Sequence, residues 1–211
     1  MMYATTALEA RAEATPKARG KCPACQAEVL AKCGKIVSWH WAHVGADCDA
    51  WSEPMTQWHL DWQAEVPPER REVVIGNHRA DLVTAGGHVV ELQHSSISVD
   101  DIQAREAHYD RMAWIFDARS AFEESYEQFS GLFSGYYRRL TMRDKGNYVT
   151  FQWKHPRKTL SACSKPIYLD LDGQHILGVA KLYTDQPRFG GWGFLTTRKQ
   201  LVTSWINGGA G

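Results

Sequence analysis

Asp81, Glu91 and Gln93 place two carboxylates and an amide in one short stretch, HRADLVTAGGHVVELQHSSIS. The stretch consists of two β-like runs joined across Gly86 and Gly87. A two-residue Gly86-Gly87 turn would pair Leu82 with Glu91 and put Asp81 on the opposite face, because strand side chains alternate with period two. A three-residue loop, Ala85-Gly86-Gly87, ends instead in a glycine able to take positive φ. That loop pairs Thr84 with His88, and hence Asp81 with Glu91. Directly opposed Cβ atoms lie about 4.5–5.5 Å apart, so two carboxylates there repel unless a cation lies between them. The fold must therefore bring two acids to one edge.

The chemistry this pattern suits is that of a hard cation. Mg²⁺ prefers carboxylate oxygen and shares its remaining positions with water and substrate phosphate. Such an ion polarises a phosphoryl oxygen and lowers the pKa of a coordinated water. Gln93, two residues after Glu91, shares that face and could orient the water or a phosphate oxygen. The plain alternative is a surface hairpin with solvated acids. Against it, VVELQ is otherwise a buried-type run, and a carboxylate in its middle needs a partner or a metal.

A second metal signature precedes the hairpin. Cys22-Pro23-Ala24-Cys25 is a zinc-knuckle half, followed by His40, His43 and Cys48. Two thiolates two residues apart grip one tetrahedral Zn²⁺ from a tight turn, and a second pair closes the cage. His43 and Cys48 are the preferred second pair, with His40 of HWAH as the rival ligand. Cys33 is a bystander on the hairpin AEVLAKCGKIVSWH, whose turn centres on Gly34. So small a segment with little apolar content needs such a staple, and the zinc is expected to be structural.

The elements follow from periodicity and punctuation. SEPMTQWHLDWQAEV reads as a helix opening at Ser52 and Pro54. It sets Trp58 and Trp62 on one face and His59 and Gln63 on a neighbouring one. Residues 71–76 read as a strand. SVDDIQAREAHYDRMA reads as a helix with Ser98 as N-cap and Asp100-Asp101 in its first turn, and AWIFDA as a buried strand. Arg105 and Tyr109 share a helix face and are phosphate-contact candidates, with ordinary surface pairing as the alternative. Residues 120–140 look helical. From Tyr148 the pattern becomes strand-like through NYVTFQWKHP, KPIYLDL, HILGVAKLYT, GGWGFLTT and a final KQLVTSWI. The aromatics there either fill a small β core or stack bases beside Lys154, Arg157 and Lys158. The closing NGGAG is expected to be disordered.

The pieces CPAC, HWAH, EPMTQWHLDWQ, HRADLV, ELQHSSIS and REAHYDRMAWIFDA, from about Lys21 to Ala118, resemble the competence protein CoiA family. Its nuclease-like domain belongs to the PD-(D/E)XK superfamily. The resemblance implies an α/β (α+β mixed) fold with a restriction-endonuclease-like αβββαβ core, an N-terminal zinc module and a β-rich C-terminal extension. It implies that Asp81 is the motif aspartate and Glu91 the second acid, together holding Mg²⁺ or Mn²⁺. Gln93 then stands where the superfamily usually has lysine, as it does in the CoiA-like pattern itself. Ala80 replaces the signature proline. In CoiA-like proteins the histidine of the preceding helix lies near the metal, so His59 is carried over as a site residue. It would position phosphate or water, or donate to the leaving group. Without a lysine, transition-state charge falls more heavily on the metal.

Composition bounds the rest. At 211 residues and 44% hydrophobic content the chain can bury one core plus a small module. No apolar run approaches the ~18 residues that span a bilayer, and no signal-peptide core is evident. Five cysteines, an odd number, favour metal over disulfides and a reducing, cytoplasmic setting. Net charge is zero but segregated: residues 61–135 carry 6 basic and 14 acidic side chains, and residues 136–211 carry 12 and 4. The basic third could hold phosphates beside an acidic metal site, unless the segregation is merely solvated surface.

The expected organisation is a segment at 1–19, a zinc module at 20–50, a nuclease-like core at 51–118, a helical connector at 119–145 and a basic, aromatic β extension at 146–211. The expected activity is metal-dependent hydrolysis of DNA phosphodiesters, with Gln63, Arg79, Arg105, Tyr109, Lys154, Arg157 and Lys158 as nucleic-acid contacts. The alternatives are a catalytically inactive DNA-binding accessory that recruits recombination or DNA-processing proteins, and a zinc-stapled protein-interaction domain. No membrane partner is expected. A homodimer is an option, since a single-site nuclease often needs two copies to cut both strands.

Overall fold

The computed structural model describes residues 1–211 apart from 8–9, 37, 46–47, 52–54, 127–139, 154–155, 185–188 and 209–211. The chain divides into two compact units, Met1–Val83 and Thr84–Gly211. The division falls inside residues 51–118, the stretch expected to form one core.

In the first unit, β1 (Tyr3–Thr5), β2 (Arg11–Glu13), β3 (Arg19–Lys21), β4 (Glu28–Lys32) and β5 (His40–His43) form an antiparallel sheet ordered β2-β1-β3-β4-β5. Residues 1–19, expected to precede the zinc module, thus supply two of its strands. Their pairing is non-local, and three-residue strands leave almost no periodic signal. The β4–β5 hairpin is the one anticipated around Gly34, with Lys32 opposite His40. The core beneath this sheet is small, built of Ala4, Ala14, Cys22, Val29 and Trp41. Trp41 donates its indole N–H to the Ala12 carbonyl at 3.0 Å, which settles the one polar atom of a buried ring.

The same unit continues into α1 (Gln57–Gln63) and the antiparallel hairpin of β6 (Arg71–Ile75) and β7 (His78–Val83). Ser52 and Pro54, expected to open the helix, lie outside the described residues. The described start is Thr56, whose side chain accepts from the His59 N–H at 3.4 Å while His59 reaches back to the Thr56 N–H. This reciprocal cap fixes the helix end four residues later than the Ser-Pro signal suggested. The buried Glu72 carboxylate on β6 accepts from the backbone of Met2 at 2.7 Å and Tyr3 at 3.3 Å. Arg11 donates to the Pro68 and Arg71 carbonyls. These bonds fasten the N-terminal strands to the hairpin that carries Asp81.

In the second unit, β8 (Val89–Gln93), α2 (Val99–His108) and β9 (Met112–Asp117) form a parallel βαβ step. Every residue of β8 and β9 is buried, as expected of strands covered on both faces. Ser98 caps α2 as anticipated, accepting from the Asp101 N–H at 3.0 Å, but the helix ends at His108, so Met112 and Ala113 belong to the strand. After α3 (Arg119–Tyr126) come β10 (Leu140–Asp144), β11 (Val149–Trp153), β12 (Ile167–Asp170), β13 (His175–Tyr183) and β14 (Phe189–Thr197). The strand order is β8-β9-β12-β13-β14-β11-β10. Because β12 runs parallel to β9, residues 146–211 extend the sheet of β8 and β9 rather than forming a separate β core.

The last stretch departs from expectation. KQLVTSWI is not a strand: α4 (Arg198–Leu201) opens there and continues as a wider helical turn over Val202–Ile206. A Thr197–Gln200 capping box starts it, the Thr197 hydroxyl accepting from the Gln200 N–H at 3.2 Å. That local cap outweighs the β propensity of Val202, Thr203 and Trp205. Gly191 and Gly193 permit the β13–β14 approach, since a Cβ there would lie 2.0 Å from the Lys181 carbonyl oxygen and 2.1 Å from that of Gly178.

Candidate functional site

Four ligand atoms converge in the first unit. Cys22, Cys25, His43 and Cys48 place their donors within 4.8 Å of one another. The Cys22 and Cys48 sulfurs are 3.7 Å apart, and Cys25 Sγ lies 3.4 Å from His43 Nε2. Tetrahedral geometry with Zn–S near 2.3 Å and Zn–N near 2.05 Å requires about 3.8 Å and about 3.6 Å for these separations. The donor set therefore fits Zn²⁺, with four protein ligands and no open position. The turn is built for it: Cys22 donates its N–H to the Ala27 carbonyl at 2.9 Å, Gln26 donates to the Cys22 carbonyl at 2.9 Å, and Gln26 adopts φ +63°.

The thiols show how much a dication is wanted. At Cys25 burial works upward, but hydrogen bonds from the Ala27 backbone, His43 and the other cysteines prevail and bring it down to about 7. Cys48 is pushed up to about 12 by burial and by the neighbouring thiols. A metal ion resolves that mutual repulsion by taking all three as thiolates. Of the two rival imidazoles, His43 joins the cluster. His40 does not; its Nδ1 lies 2.8 Å from the Ser38 carbonyl oxygen. Cys33 packs against the small core beneath.

The hairpin turn has the three-residue form. The Thr84 N–H donates to His88 at 2.8 Å, the His88 N–H to Thr84 Oγ1 at 3.0 Å, and Gly87 takes φ +77°. Asp81 is half-buried on β7, on the face opposite buried Ala80 and Leu82. In the second unit Glu91 is 3% exposed at the centre of β8, and Gln93 is fully buried. Arg105 on α2 donates to Glu91 Oε2 at 2.7 Å, with both side chains buried, so one nitrogen of that phosphate-contact candidate belongs to a carboxylate. Gln93 donates its amide to the Ser95 carbonyl at 3.1 Å.

His59 is buried with Nδ1 at 2.8 Å from Thr56 Oγ1 and accepting from the Thr56 N–H at 3.3 Å. A ring whose Nδ1 accepts carries its proton on Nε2, which defines that edge as a donor. Gln63 is buried on the same helix, and its Nε2 has no hydrogen-bond partner among the described residues. Arg79 donates its backbone N–H to Asp49 and reaches the Met1 sulfur at 3.6 Å.

Of the three C-terminal contact candidates, Arg157 differs from expectation. Lys154 lies outside the described residues, and Lys158 is exposed. Arg157 is a structural clamp: it donates to the Gln93 carbonyl at the end of β8, to the His94 and Ser95 carbonyls just after it, and to Asp117 O, at 2.9 Å, at the end of β9. Tyr109 is buried beside His108.

Several polar groups had no clear sequence signal. Asp49, next to Cys48, accepts from Trp51 N–H, His78 Nδ1 and Arg79 N–H at 2.9–3.0 Å, while the Trp51 and His78 rings stack at 3.3 Å. Glu106 accepts from the Ser164 hydroxyl, the Trp114 indole N–H and the Ser164 and Lys165 backbone N–H groups; burial works upward on it, but these bonds, the Ser164 hydroxyl first, hold it below the usual carboxylate range. Asp117 binds His94 Nδ1 at 2.7 Å and Arg119 through both carboxylate oxygens. Burial raises it and the Arg119 bonds, with His94, bring it lower still. The Asp-Ala-Arg spacing at a strand end was the one available cue to that last group.

Residues 9–50 match the family model for the N-terminal domain of competence protein CoiA. The matched stretch contains all four zinc-ligand candidates, and it supports a CoiA-like family. No curated protein and no solved structure matches the chain. Among the described residues, no helix is long and apolar enough to cross a membrane.

Proposed function

We propose that the chain is a divalent-metal-dependent DNA endonuclease, or a nuclease-like DNA-processing protein, serving a competence-related role. The single observation that carries this reading is Glu91, a carboxylate in the middle of a wholly buried strand. Continued regularly from the Thr84–His88 turn, an antiparallel register would pair Asp81 with Glu91, which supports the reading. Two carboxylates and an amide form a donor set suited to Mg²⁺ or Mn²⁺. The bound ion would supply Lewis-acid activation of water and of the phosphoryl oxygen. In this reading Asp81 and Glu91 hold the ion, the Gln93 amide orients a water or phosphate oxygen, and His59 Nε2–H donates toward phosphate or the leaving oxygen. The element order α1, β6, β7, β8, α2, β9 agrees with the αβββαβ order expected of a PD-(D/E)XK core and so supports the reading, in which the zinc module would stabilise the strands leading into that core.

A second reading has a specific observation behind it. The Arg105–Glu91 ion pair already gives the buried carboxylate a cation. That favours an inactive DNA-binding accessory in which the pair replaces the metal. Supercoiled and single-stranded DNA incubated with Mg²⁺ or Mn²⁺ separates the two. The nuclease reading expects cleavage that disappears in Asp81→Ala and Glu91→Ala; cleavage surviving in both refutes the site. Salt-dependent DNA binding with no divalent-ion affinity supports the accessory reading.

A further inference from the structure

One face of the second unit's sheet carries aromatic and basic side chains in a continuous row. The register aligns Arg143 of β10 with Thr150 of β11, Trp192 of β14 and Lys181 of β13. One pair further along, Gln152 stands beside Gly190 and Tyr183; in the other direction, Phe194 stands beside Gly178 and Tyr168 of β12. Residues directly opposed share a face, so these side chains emerge together. The reverse face holds Met142, Val149, Phe151, Trp153, Leu169 and Leu177, all buried.

The C-terminal helix covers only one end of the row, where Trp205 stacks on Tyr168 at 5.2 Å. Beyond it, Phe194 is 51% exposed, Tyr148 40% and Tyr183 39%. The rings touch edge to face: Tyr148–Trp192 and Trp192–Phe194 both have centroids 5.6 Å apart. Lys181 lies 5.6 Å from the Tyr183 ring. Residues 136–211, which supply the face, carry 12 basic against 4 acidic side chains.

We infer that this face, Arg143–Trp192–Lys181 flanked by Tyr148, Phe194 and Tyr183, is a platform for single-stranded DNA, with bases stacked on the rings and phosphates held by the flanking cations. Rings bind base faces whatever the base, and cations follow the backbone. Charge complementarity selects a polyanion over an apolar protein partner. Among the described residues, no groove-reading helix or ribbon of the kind duplex recognition uses stands on this face. The inference deepens the proposed nuclease function by naming the strand form it would hold, and so rests on that reading for its biological sense.

The test is fluorescence anisotropy of the full chain with a labelled oligo-dT of about 15 nucleotides, within the range that one stacking module covers. The competitors are duplex DNA and RNA of the same length. Wild type should prefer oligo-dT over both. Tyr148→Ala/Phe194→Ala, which removes exposed rings and leaves the buried face intact, should weaken binding at least about tenfold. Lys181→Ala should reduce the salt slope by roughly 0.7. Asp81→Ala should keep the oligo-dT affinity of wild type, so cleavage that survives this substitution beside retained oligo-dT affinity sinks the metal site alone. Unchanged affinity in the double variant, no oligo-dT binding by wild type, or preference for duplex or RNA overturns the platform. So does concentration-dependent self-association that the double variant abolishes, because the face would then hold a second copy of this chain.

Discussion

Arg105→Met is the most informative single perturbation, because it asks what neutralises Glu91. The guanidinium and carboxylate are 2.7 Å apart with side-chain exposures of 6% and 4%. Removing one partner of a pair this buried costs about 3–5 kcal/mol, since the other charge stays out of water. For a chain of this length, each kcal/mol moves the thermal midpoint by about 2–4 °C, so the midpoint should fall by about 6–20 °C. Glu91→Gln/Arg105→Met removes both charges and should recover most of the loss, because matched neutral groups of similar size restore packing without desolvated charge. The metal reading adds a sharper expectation. With the guanidinium gone, bound Mg²⁺ or Mn²⁺ would compensate the Glu91 charge in that reading, and an ion at 100 times its Kd returns about 2.7 kcal/mol. Scanning calorimetry of wild type, single and double variants with and without Mn²⁺ measures all of this. A fall worth less than about 1 kcal/mol refutes the ion-pair argument. A fall of the full size with no Mn²⁺ response beyond wild type refutes Glu91 as a metal ligand.

Three further outcomes are expected. Zinc per chain, measured by elemental mass spectrometry, should drop in Cys22→Ser, Cys25→Ser, His43→Ala and Cys48→Ser but hold in Cys33→Ser and His40→Ala; a loss in His40→Ala would reverse the ligand assignment. Arg157→Lys should destabilise the fold by about 2 kcal/mol in denaturant titration, because a lysine cannot span carbonyls on two strand ends; wild-type stability with weakened DNA affinity would make it a phosphate contact instead. Asp117, Glu106 and Asp172 are held below their unfolded values, burial opposing and hydrogen bonds from Arg119, Ser164 and His175 prevailing. Their contribution is therefore present above the unfolded carboxylate range and lost as pH falls from about 5 through the lowered folded values. Asp117→Asn should flatten that acid limb in a stability-versus-pH series, and an unchanged slope would contradict the assignment.

What could be read from the chain was what local chemistry dictates. The Ala85-Gly86-Gly87 loop, the Ser98 cap and the Cys/His spacing each depend on residues a few positions apart, and each has the anticipated form. The choice between His40 and His43 needed coordinates, because both belong to the same short strand. What escaped was non-local or a contest between signals. Arg157 looked like a surface cation because nothing nearby in sequence reveals carbonyls more than forty positions away. The strands at Tyr3 and Arg11 are too short for periodicity, and their partners lie far along the chain. At Thr197–Ile206 a strong cap met β-prone residues, and the cap prevailed. Asp49 was hidden because a charged residue beside Cys48 resembles solvated loop until His78 and Arg79 close on it.

The hairpin turn that sets the Thr84–His88 pairing is not held by its own residues alone. Ala85 donates its N–H to the Ile206 carbonyl at 2.9 Å, so the far end of the chain buttresses the loop. Deleting residues from Trp205 onward would unhook that strut and leave the glycine loop free to slip by one position. A slip of one residue turns every side chain of a strand to the other surface. In the nuclease reading, an engineered C-terminal truncation would thus abolish cleavage by turning side chains beside that loop to the other surface, without touching any group proposed to meet the substrate.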